Sequence, residues 1–206
     1  MQRVPEPSIR RLIRYYRHLA SLDLSEEEVI LSLELGKKTG VTAAQVRKDL
    51  SYLGEVGQKG VGYKIEFLKK ELAYILGFDR DCAIVIIGAG NLGRALCCYR
   101  ELERLGIRVA AIFDNDLNKI GTRVNQLEVK NIKHLDKFIR KNNIKIAVLT
   151  VPSKAVESIT AKIIKAGINN IWNFAPVALS CDEKVRVFSE DLASDLGSLI
   201  YHLNNL

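Results

Sequence analysis

The sequence predicts an α/β protein with a helical N-terminal part and a C-terminal part built on a parallel sheet. Residues 83–87 form an apolar run rich in β-branched side chains, which is typical of a strand covered on both faces. Glycines follow it at G-x-G-x-x-G spacing, and further apolar runs alternate with amphipathic stretches. Upstream, a short glycine turn joins two helical patterns, and a glycine-rich basic hairpin follows them.

The glycine-rich segment predicts a dinucleotide-binding loop. Gly88 permits a tight turn, Gly90 lets a pyrophosphate approach the backbone, and Gly93 lets the next helix pack against the strand. Free N–H groups at the start of that helix would hold phosphates. The candidate loop residues are Gly88, Ala89, Gly90, Asn91, Leu92 and Gly93.

An acidic residue, Asp114, ends the second apolar run about 20 residues after the last glycine. A carboxylate at this point accepts a hydrogen bond from the adenine ribose 2′-hydroxyl, which favours NAD over NADP. The alternative is a tight strand-to-helix turn in another kind of doubly wound domain. The strand, glycines, helix, second strand and acid are all in register, which favours dinucleotide binding.

The bulk properties indicate a folded protein of one large domain or two small ones. The chain has 206 residues, 48% hydrophobic residues and a formal net charge of +7, which suggests an anionic partner. No apolar run approaches the ~20 residues of a membrane span, and no signal peptide is evident, so we expect a cytoplasmic protein. The cysteines and histidines lack metal-ligand spacing, although a thiol sensor at Cys97 or Cys98 stays open.

The N-terminal pattern predicts a helix with Ser8 as its N-cap. Its arginines would lie mainly on a solvated face, and Arg17 could also make an interdomain contact. The apolar stripe comprises Ile9, Leu12, Ile13, Tyr16 and Leu19. Residues 25–40 then allow two interpretations: one long helix with a capping box at Ser25 and Glu28, or a short strand at 29–31 before a helix capped by Ser32.

Residues 42–45 form a capping box that opens a second helix after the turn at Gly40, which makes a helix-turn-helix pattern. Residues 56–65 are typical of a hairpin wing with a basic tip, which can contact phosphates or the minor groove. An ordinary helical hairpin with a solvated basic face is the alternative. The candidate groove-reading residues are Gln45, Arg47, Lys48 and Ser51, and Lys59 and Lys64 charge the wing.

Strands are predicted at 144–151, 171–174 and 185–188, with a helix at about 154–166. The first two should end at the edge of the sheet where nucleotides bind, so Val151, Pro152 and Asn173 are candidates to flank the nicotinamide ribose. Turn formation explains the prolines almost as well. A final amphipathic helix, with Ser189 as its cap and Asp191 in its first turn, could cover a partner subunit or its own domain.

Three motifs in order, at 47–52 (RKDLSY), 60–63 (GVGY) and 88–93 (GAGNLG), resemble those of the Rex family of bacterial redox-sensing transcriptional repressors. The similarity covers essentially the whole chain. It implies a homodimer with a winged-helix DNA-binding domain at 1–78, a Rossmann domain binding NADH or NAD⁺ at 79–188, and an exchanged C-terminal helix at 189–206. It also favours the strand interpretation at 29–31.

The resemblance implies a role for single residues too. Gln45, Arg47, Lys48 and Ser51 would enter the major groove, and Lys59, Gly60 and Tyr63 would belong to the wing. Lys119 fits a family motif after the second strand, although proline is common where this chain has Leu117 and Asn118. Tyr99 resembles the family's tyrosine near the nicotinamide, with Arg17 and Asp191 as its candidate partners in an interdomain switch.

These features predict a repressor, not an enzyme, that releases an inverted-repeat operator when NADH binds. The alternatives are an NAD-dependent dehydrogenase, which needs a catalytic acid or base and usually a substrate domain, and a nucleotide-binding subunit of a larger enzyme. Only about thirty residues follow the turn at 173–176, too few for a substrate domain.

Overall fold

A computed structural model describes residues 4–22, 29–58 and 60–204. The chain divides into two compact units, one formed by residues 1–82 and 101–107 and the other by residues 83–100 and 108–206. The predicted cap at Ser25 and Glu28 and the wing residue Lys59 lie outside the described residues.

The first unit is a small helical domain with a two-stranded sheet. Its elements are α1 (Glu6–Ala20), β1 (Val29–Ile30), α2 (Ser32–Thr39), α3 (Ala43–Leu50), a 3-10 turn (Ser51–Leu53), β2 (Tyr63–Lys64) and α4 (Ile65–Leu76). One apolar cluster holds the helices together, and each fully buried side chain of this size contributes about 1.5 to 3 kcal/mol. The cluster includes Leu12, Leu19, Leu35, Val46, Leu50, Leu68 and Leu72.

The short strand at 29–30 settles the two interpretations of residues 25–40 in favour of strand then helix. β1 pairs antiparallel with β2, which places Ile30 opposite Tyr63. The predicted hairpin is therefore only partly formed, because its first arm makes a single bridge between Gln58 and Gly62. A Cβ at Gly62 would lie 2.8 Å from the Ile30 carbonyl oxygen, so glycine is required where the chain passes close to β1.

Two predicted helix caps in this unit are wrong. α1 begins after Pro5, and Ser8 is buried within the helix. The N-cap of α2 is Leu31, and Ser32 is already helical. By contrast Thr42 caps α3 as predicted, since its hydroxyl accepts a hydrogen bond from the Gln45 backbone N–H at 3.1 Å.

The second unit is a Rossmann-type α/β domain. Its strands are β3 (Cys82–Ile87), β4 (Ile107–Asp114), β5 (Arg123–Val124), β6 (Leu127–Asn131), β7 (Ile146–Leu149), β8 (Asn170–Asn173) and β9 (Arg186–Ser189). Its helices are α5 (Asn91–Cys97), α7 (Leu135–Lys141), α8 (Ser153–Ala166) and α9 (Leu192–Asn204), while α6 (Arg100–Arg104) lies almost wholly in the first unit. A 3-10 turn (Ile132–His134) precedes α7.

The strand order β5-β6-β4-β3-β7-β8-β9 places the glycine-bearing strand β3 in the middle of the sheet. β3, β7, β8 and β9 pair parallel in succession, β4 pairs parallel with β6, and β5 pairs antiparallel with β6. The predicted strands therefore form, whereas the short hairpin of β5 and β6 was not predicted. The carboxyl ends of β3, β4, β7 and β8 meet at one edge, where doubly wound sheets bind nucleotides.

The last helix, α9, exposes its apolar side chains. Its first-turn N–H groups are capped by Asp191, whose carboxylate accepts from the Ala193 and Ser194 backbone at 3.1 and 3.0 Å, and not by Ser189, which ends β9. The exposed apolar residues are Leu192, Leu196, Leu199, Ile200 and Leu203, each between 51% and 72% accessible. Packing of this stripe on the chain's own sheet, one of the two expectations, is therefore not what the structure shows.

Candidate functional site

The three motif glycines in the second unit serve different purposes. Gly88 has a φ of +108° and lies so close to Thr150 that a Cβ would approach its carbonyl oxygen to 2.5 Å. A Cβ on Gly93 would lie 1.9 Å from the Gly88 carbonyl oxygen. Nothing lies within 4 Å of a Cβ on Gly90, so the fold itself does not require glycine there. The open space over Gly90 fits the close approach of a phosphate to the backbone.

A buried carboxylate, Asp114, holds this loop from the end of β4. Its Oδ2 accepts from the Ala89 N–H at 2.7 Å and its Oδ1 from the Asp116 N–H at 2.9 Å. The Lys119 ammonium lies 3.3 Å from Oδ2. Burial is the largest single influence on the pKa of Asp114 and raises it, but the two N–H groups and Lys119 together bring it below its ordinary value. Asp114 is therefore ionised and ready to accept a further hydrogen bond.

Two residues that sequence reasoning missed also brace the loop. The guanidinium of Arg94 donates to the Ala89 carbonyl at 3.1 Å and to the Thr122 hydroxyl at 2.9 Å. The Thr150 hydroxyl donates towards the Gly88 carbonyl at 2.9 Å. Thr150 lies near the end of the strand predicted at 144–151 and directly follows the observed strand β7, at the edge where nucleotides bind. That position was the signal from which it could have been found.

A cavity of about 700 Å³ opens beside the loop, within the range of small-molecule sites. Of the predicted cofactor-binding residues, it is lined by Gly88, Gly90, Leu92, Asp114, Lys119, Val151 and Pro152. Further lining comes from Asn115, Asp116, Ile132, Thr150, Lys154, Ala155, Ser158, Ile159, Lys162 and Phe174. The lining combines lysines with apolar side chains, which suits a ligand with both phosphates and a flat apolar ring.

Five of the predicted cofactor residues are not among the cavity's lining: Ala89, Asn91 and Gly93 of the loop, and Asn173 and Tyr99. Asn173 is fully buried, and its side-chain amide is used within the chain. Its Nδ2 donates to the Val177 carbonyl at 2.9 Å, and its Oδ1 accepts from the Ala175 N–H at 3.0 Å. Asn173 thus shapes the turn that presents Phe174. Tyr99 is 48% exposed and lies beyond the end of α5.

The predicted DNA-reading residues lie on or just after α3. Arg47, Lys48 and Ser51 are exposed, and the Arg47 guanidinium donates to the Ser32 hydroxyl at 3.0 Å. Gly60 takes a φ of +84° in the turn of the wing. Burial raises the pKa of the half-buried Tyr63 phenol, against an opposing influence of Arg47. A groove of about 750 Å³ separates α3 from this wing and is lined by Arg47, Ser51 and Tyr63 among others.

A second buried carboxylate, Asp49, lies on the inner side of α3. It is 0% exposed, and the Arg11 guanidinium donates to both its oxygens, at 2.6 and 2.8 Å. Tyr15 donates to Oδ2 at 2.8 Å and Gln45 to Oδ1 at 3.0 Å. The expectation that Arg11 belongs to a solvated face is therefore wrong, and the buried tyrosine of α1 is Tyr15, whereas Tyr16 is only half-buried.

The candidate switch residues have identifiable local partners. Within the first unit, Arg17 pairs with Glu101 of α6 at 3.2 Å, and Glu101 also pairs with Arg104 at 2.5 Å. Asp191 holds the start of α9, as described above, and hydrogen bonds from Ser194 lower its pKa.

Comparisons with known proteins agree along both units. Residues 79–177 match the family described as CoA binding domain, and residues 3–51 match a putative DNA-binding protein N-terminus. The redox-sensing transcriptional repressor Rex of Carboxydothermus hydrogenoformans is 40% identical over 98% of this chain and 97% of its own. The chain belongs to the Rex family. A Rex repressor of Clostridium botulinum strain Alaska E43 is 38% identical over 95% of this chain and 93% of its own.

Solved structures of a Rex-family repressor, RSP, have the same fold over the full chain. RSP is 36% identical with a TM-score of 0.84, over 100% of this chain and 96% of its own. RSP in complex with NAD⁺ and operator DNA is 37% identical with a TM-score of 0.89, over 100% of this chain and 94% of its own. RSP has also been solved with NADH.

The family decides between the alternatives left open by the sequence. Rex proteins are transcriptional repressors, so the dehydrogenase and enzyme-subunit interpretations are set aside. Among the described residues there is no cluster of histidines, cysteines or carboxylates that could hold a metal ion. Nor does any helix in the described ranges have the length and apolar character to cross a membrane. Burial, chiefly, raises the pKa of the thiols of Cys82, Cys97 and Cys181, which disfavours their thiolates.

Proposed function

We propose that this chain is a redox-sensing transcriptional repressor that binds an inverted-repeat operator and releases it when NADH binds. The observation that carries the proposal is its full-length similarity to a Rex-family repressor that has been solved with NAD⁺ and operator DNA. Two features of the chain support it: a cavity of about 700 Å³ beside a glycine-rich loop, and a helix with exposed basic residues beside a wing.

The dinucleotide would lie along the cavity edge of the sheet. Backbone N–H groups of the loop would hold the pyrophosphate over Gly90, and the ionised Asp114 would accept from the adenine ribose. The apolar surface of Val151, Pro152 and Phe174 would lie against the nicotinamide. The remaining predicted residues, Ala89, Asn91, Leu92, Gly93 and Lys119, would shape the loop and its far wall.

An apolar wall next to the nicotinamide gives the site a redox preference. Oxidation puts a positive charge on the ring of NAD⁺, and reduction to NADH removes it. The surface of Val151 and Pro152 has no formal charge to stabilise a cationic ring, so burying the ring there costs NAD⁺ more than NADH. Only such a difference in affinity lets the two forms shift the protein between two shapes.

On the DNA side, Gln45, Arg47, Lys48 and Ser51 would face the major groove, with Lys59, Gly60 and Tyr63 at the wing. A homodimer would present two such helices to half-sites about one helical turn apart. The exposed stripe of α9, at 51% to 72% accessibility, supports its burial against a partner subunit, with exchange of the C-terminal helix 189–206. A repressor of this kind works on cytoplasmic DNA.

The proposed switch acts through the position of the two winged-helix domains, at 1–78, relative to the Rossmann domains, at 79–188. Arg17, Tyr99 and Asp191 are the candidates to exchange partners between the DNA-bound and released forms. The pair of Arg17 with Glu101 supports this role, because Glu101 lies on α6, the next element after the helix α5 that begins at the dinucleotide loop. A movement of α5 on ligand binding would then change the position of the carboxylate that pairs with Arg17.

The test measures binding of the full chain to labelled inverted-repeat duplexes at fixed salt, with NADH, with NAD⁺ and with neither. We expect specific binding that NADH abolishes and NAD⁺ spares. Gly90→Ala should bind the same duplexes but ignore NADH, because the added methyl group meets no protein atom within 4 Å and obstructs only the ligand. Arg47→Ala should keep its NADH affinity and lose roughly tenfold or more in DNA affinity.

Binding that is specific but insensitive to both nucleotides would overturn the redox part of the proposal. The absence of any preferred duplex at every salt concentration would overturn the repressor itself.

A further inference from the structure

Gln45 differs from the other predicted groove-reading side chains of α3 because its amide bonds a buried carboxylate. Its Nε2 donates to Asp49 Oδ1 at 3.0 Å, one helical turn further along. A carboxylate can only accept hydrogen bonds, so the amide must turn its NH₂ end to Asp49. The orientation of the Gln45 amide is thereby fixed by chemistry.

Asp49 itself has no freedom to move. Its two oxygens receive four donors, two from Arg11 and one each from Tyr15 and Gln45, at 2.6 to 3.0 Å. Four hydrogen bonds fill the acceptor sites of a carboxylate, and the group is 0% exposed. Arg11 and Tyr15 come from α1, so the anchor of Gln45 is built into the core of the domain.

An amide held in this way still has two groups to offer. Its Oε1 and its second N–H have no partner among the described hydrogen bonds. This acceptor and donor pair matches the N6 amino group and N7 of adenine in the major groove. A side chain ordered before binding also loses less freedom on contact with the base.

We infer that Asp49 is a positioning residue, which holds Gln45 ready to bond an adenine in each operator half-site. The inference rests on the proposed function. It assigns a preference for adenine to Gln45, and it makes that preference depend on Asp49, which does not itself contact DNA. Arg47 and Lys48 are exposed, and among the described hydrogen bonds neither side chain bonds a buried carboxylate, so the dependence on Asp49 should be specific to the adenine.

The test first selects the preferred duplex of the full-length wild-type protein from a library of inverted repeats. Each half-site adenine is then replaced by 7-deazaadenine, which pairs normally but lacks the N7 acceptor. We expect the replacement at one position per half-site to weaken wild-type binding roughly tenfold. Gln45→Ala should bind the two duplexes equally well.

The variant Arg11→Met/Asp49→Leu tests the anchor itself. It removes both buried charges together, which avoids leaving one of them unpaired. We expect it to bind DNA but to lose most of the 7-deazaadenine effect. Tyr15→Phe is the matched control, since it removes a hydrogen bond from the same carboxylate at Oδ2 and leaves Oδ1 to Gln45. Its discrimination at the adenine should equal that of the wild type.

Three results would overturn the inference while the repressor function stands: a selected duplex with no sensitive adenine, full discrimination by Gln45→Ala, or full discrimination by the Arg11→Met/Asp49→Leu variant. If that variant fails to fold, Asp49→Asn is used instead, because the amide that it introduces offers one acceptor oxygen for which Gln45 must compete with Arg11. Unchanged discrimination in Asp49→Asn would equally overturn it. Failure to select any duplex would instead overturn the proposed function.

Discussion

Each unit of this Rex protein buries an aspartate, and the two carboxylates are satisfied in opposite ways. Asp49 is held by side chains, Arg11, Tyr15 and Gln45, from two helices of the N-terminal unit. Asp114 is held mainly by backbone N–H groups of its own neighbourhood and lines a cavity. Both have a pKa below the ordinary value. Burial is the largest single influence on each pKa and raises it, but the hydrogen-bond donors together lower it by more.

The difference separates a closed site from an open one. Every acceptor position of Asp49 is filled by side chains of its own unit, so its hydrogen bonds stabilise the packing of α1 against α3. Asp114 keeps capacity for one more donor on its cavity side and lies where a ribose hydroxyl is expected. A buried aspartate is thus a structural anchor in the one unit and the proposed ligand-binding group in the other.

The largest expected effect comes from the same substitution made at both sites. Asp49→Asn leaves Arg11 without its ion pair, and we expect a loss of about 2 to 4 kcal/mol in the free energy of unfolding. Asp114→Asn keeps one acceptor for a backbone N–H and should cost about 1 kcal/mol. Nucleotide affinity should respond in the reverse sense, with roughly tenfold weaker NADH binding only for Asp114→Asn.

Urea denaturation and NADH titration of the two variants would measure both effects. Lys137→Gln, on the exposed part of α7 and outside the dinucleotide cavity, serves as a control that should change neither. Equal stability losses at the two sites would remove the distinction between anchor and ligand-binding group.

Much of the open site was predictable from the sequence, and the closed site was not. Gly93 and Asp114 contact Gly88 and Ala89 at the spacing that one βαβ unit dictates, and Gly88 has a φ of +108°, so a motif carries all three. Arg11 and Asp49 are 38 residues apart, and nothing in an amphipathic pattern distinguishes an inward arginine from its solvated neighbours. The same site holds Tyr15, which is buried where the apolar pattern favoured Tyr16, and its hydroxyl donates to Asp49.

The caps show the same limit. Ser8, Ser32 and Ser189 fit the residue preferences of an N-cap, but preference alone fixes a helix end only to within a few residues. The backbone starts α1 at Glu6 because Pro7 suits the first turn, and the real cap of α9 is Asp191. Asn173 was likewise in the predicted place at the sheet edge, yet its amide is used by the adjacent turn.

In the presence of NAD⁺, the pH of acid unfolding should change for the unit that contains Asp114 and not for the unit that contains Asp49. Each lowered pKa stabilises the fold above pH ~4, the ordinary range of an aspartate, and that contribution is lost as the pH falls through the lowered value. A ribose hydroxyl donating to Asp114 favours the ionised form further. We therefore expect NAD⁺ to move acid unfolding of the second unit to lower pH and to leave that of the first unit unchanged.

The single tryptophan, Trp172, makes this measurable because it lies in β8 of the second unit and packs against Phe174 in a tilted arrangement, with the ring centroids 4.6 Å apart. Its fluorescence follows that unit, and the Arg11–Asp49 site can be followed by Asp49→Asn, whose acid dependence should be flatter. A shift that persists in Asp114→Asn would show that NAD⁺ protects the unit by other contacts.

The smallest effect is expected at a third carboxylate, Glu101, which is partly open to solvent. Its ion pair with Arg17 has side-chain exposures of 47% and 23%, so Glu101→Gln should cost between about 0.2 and 1 kcal/mol of stability and less at high salt. The functional readout is more informative than the stability. If Arg17 works through Glu101, then Arg17→Ala and Glu101→Gln should weaken NADH-dependent operator release by the same factor, and the double variant should add nothing. A response that Arg17→Ala alters and Glu101→Gln preserves would assign Arg17 to another partner, with Tyr99 and Asp191 as the candidates.

The Glu103→Gln variant, on an exposed residue of the same short helix, controls for the loss of charge.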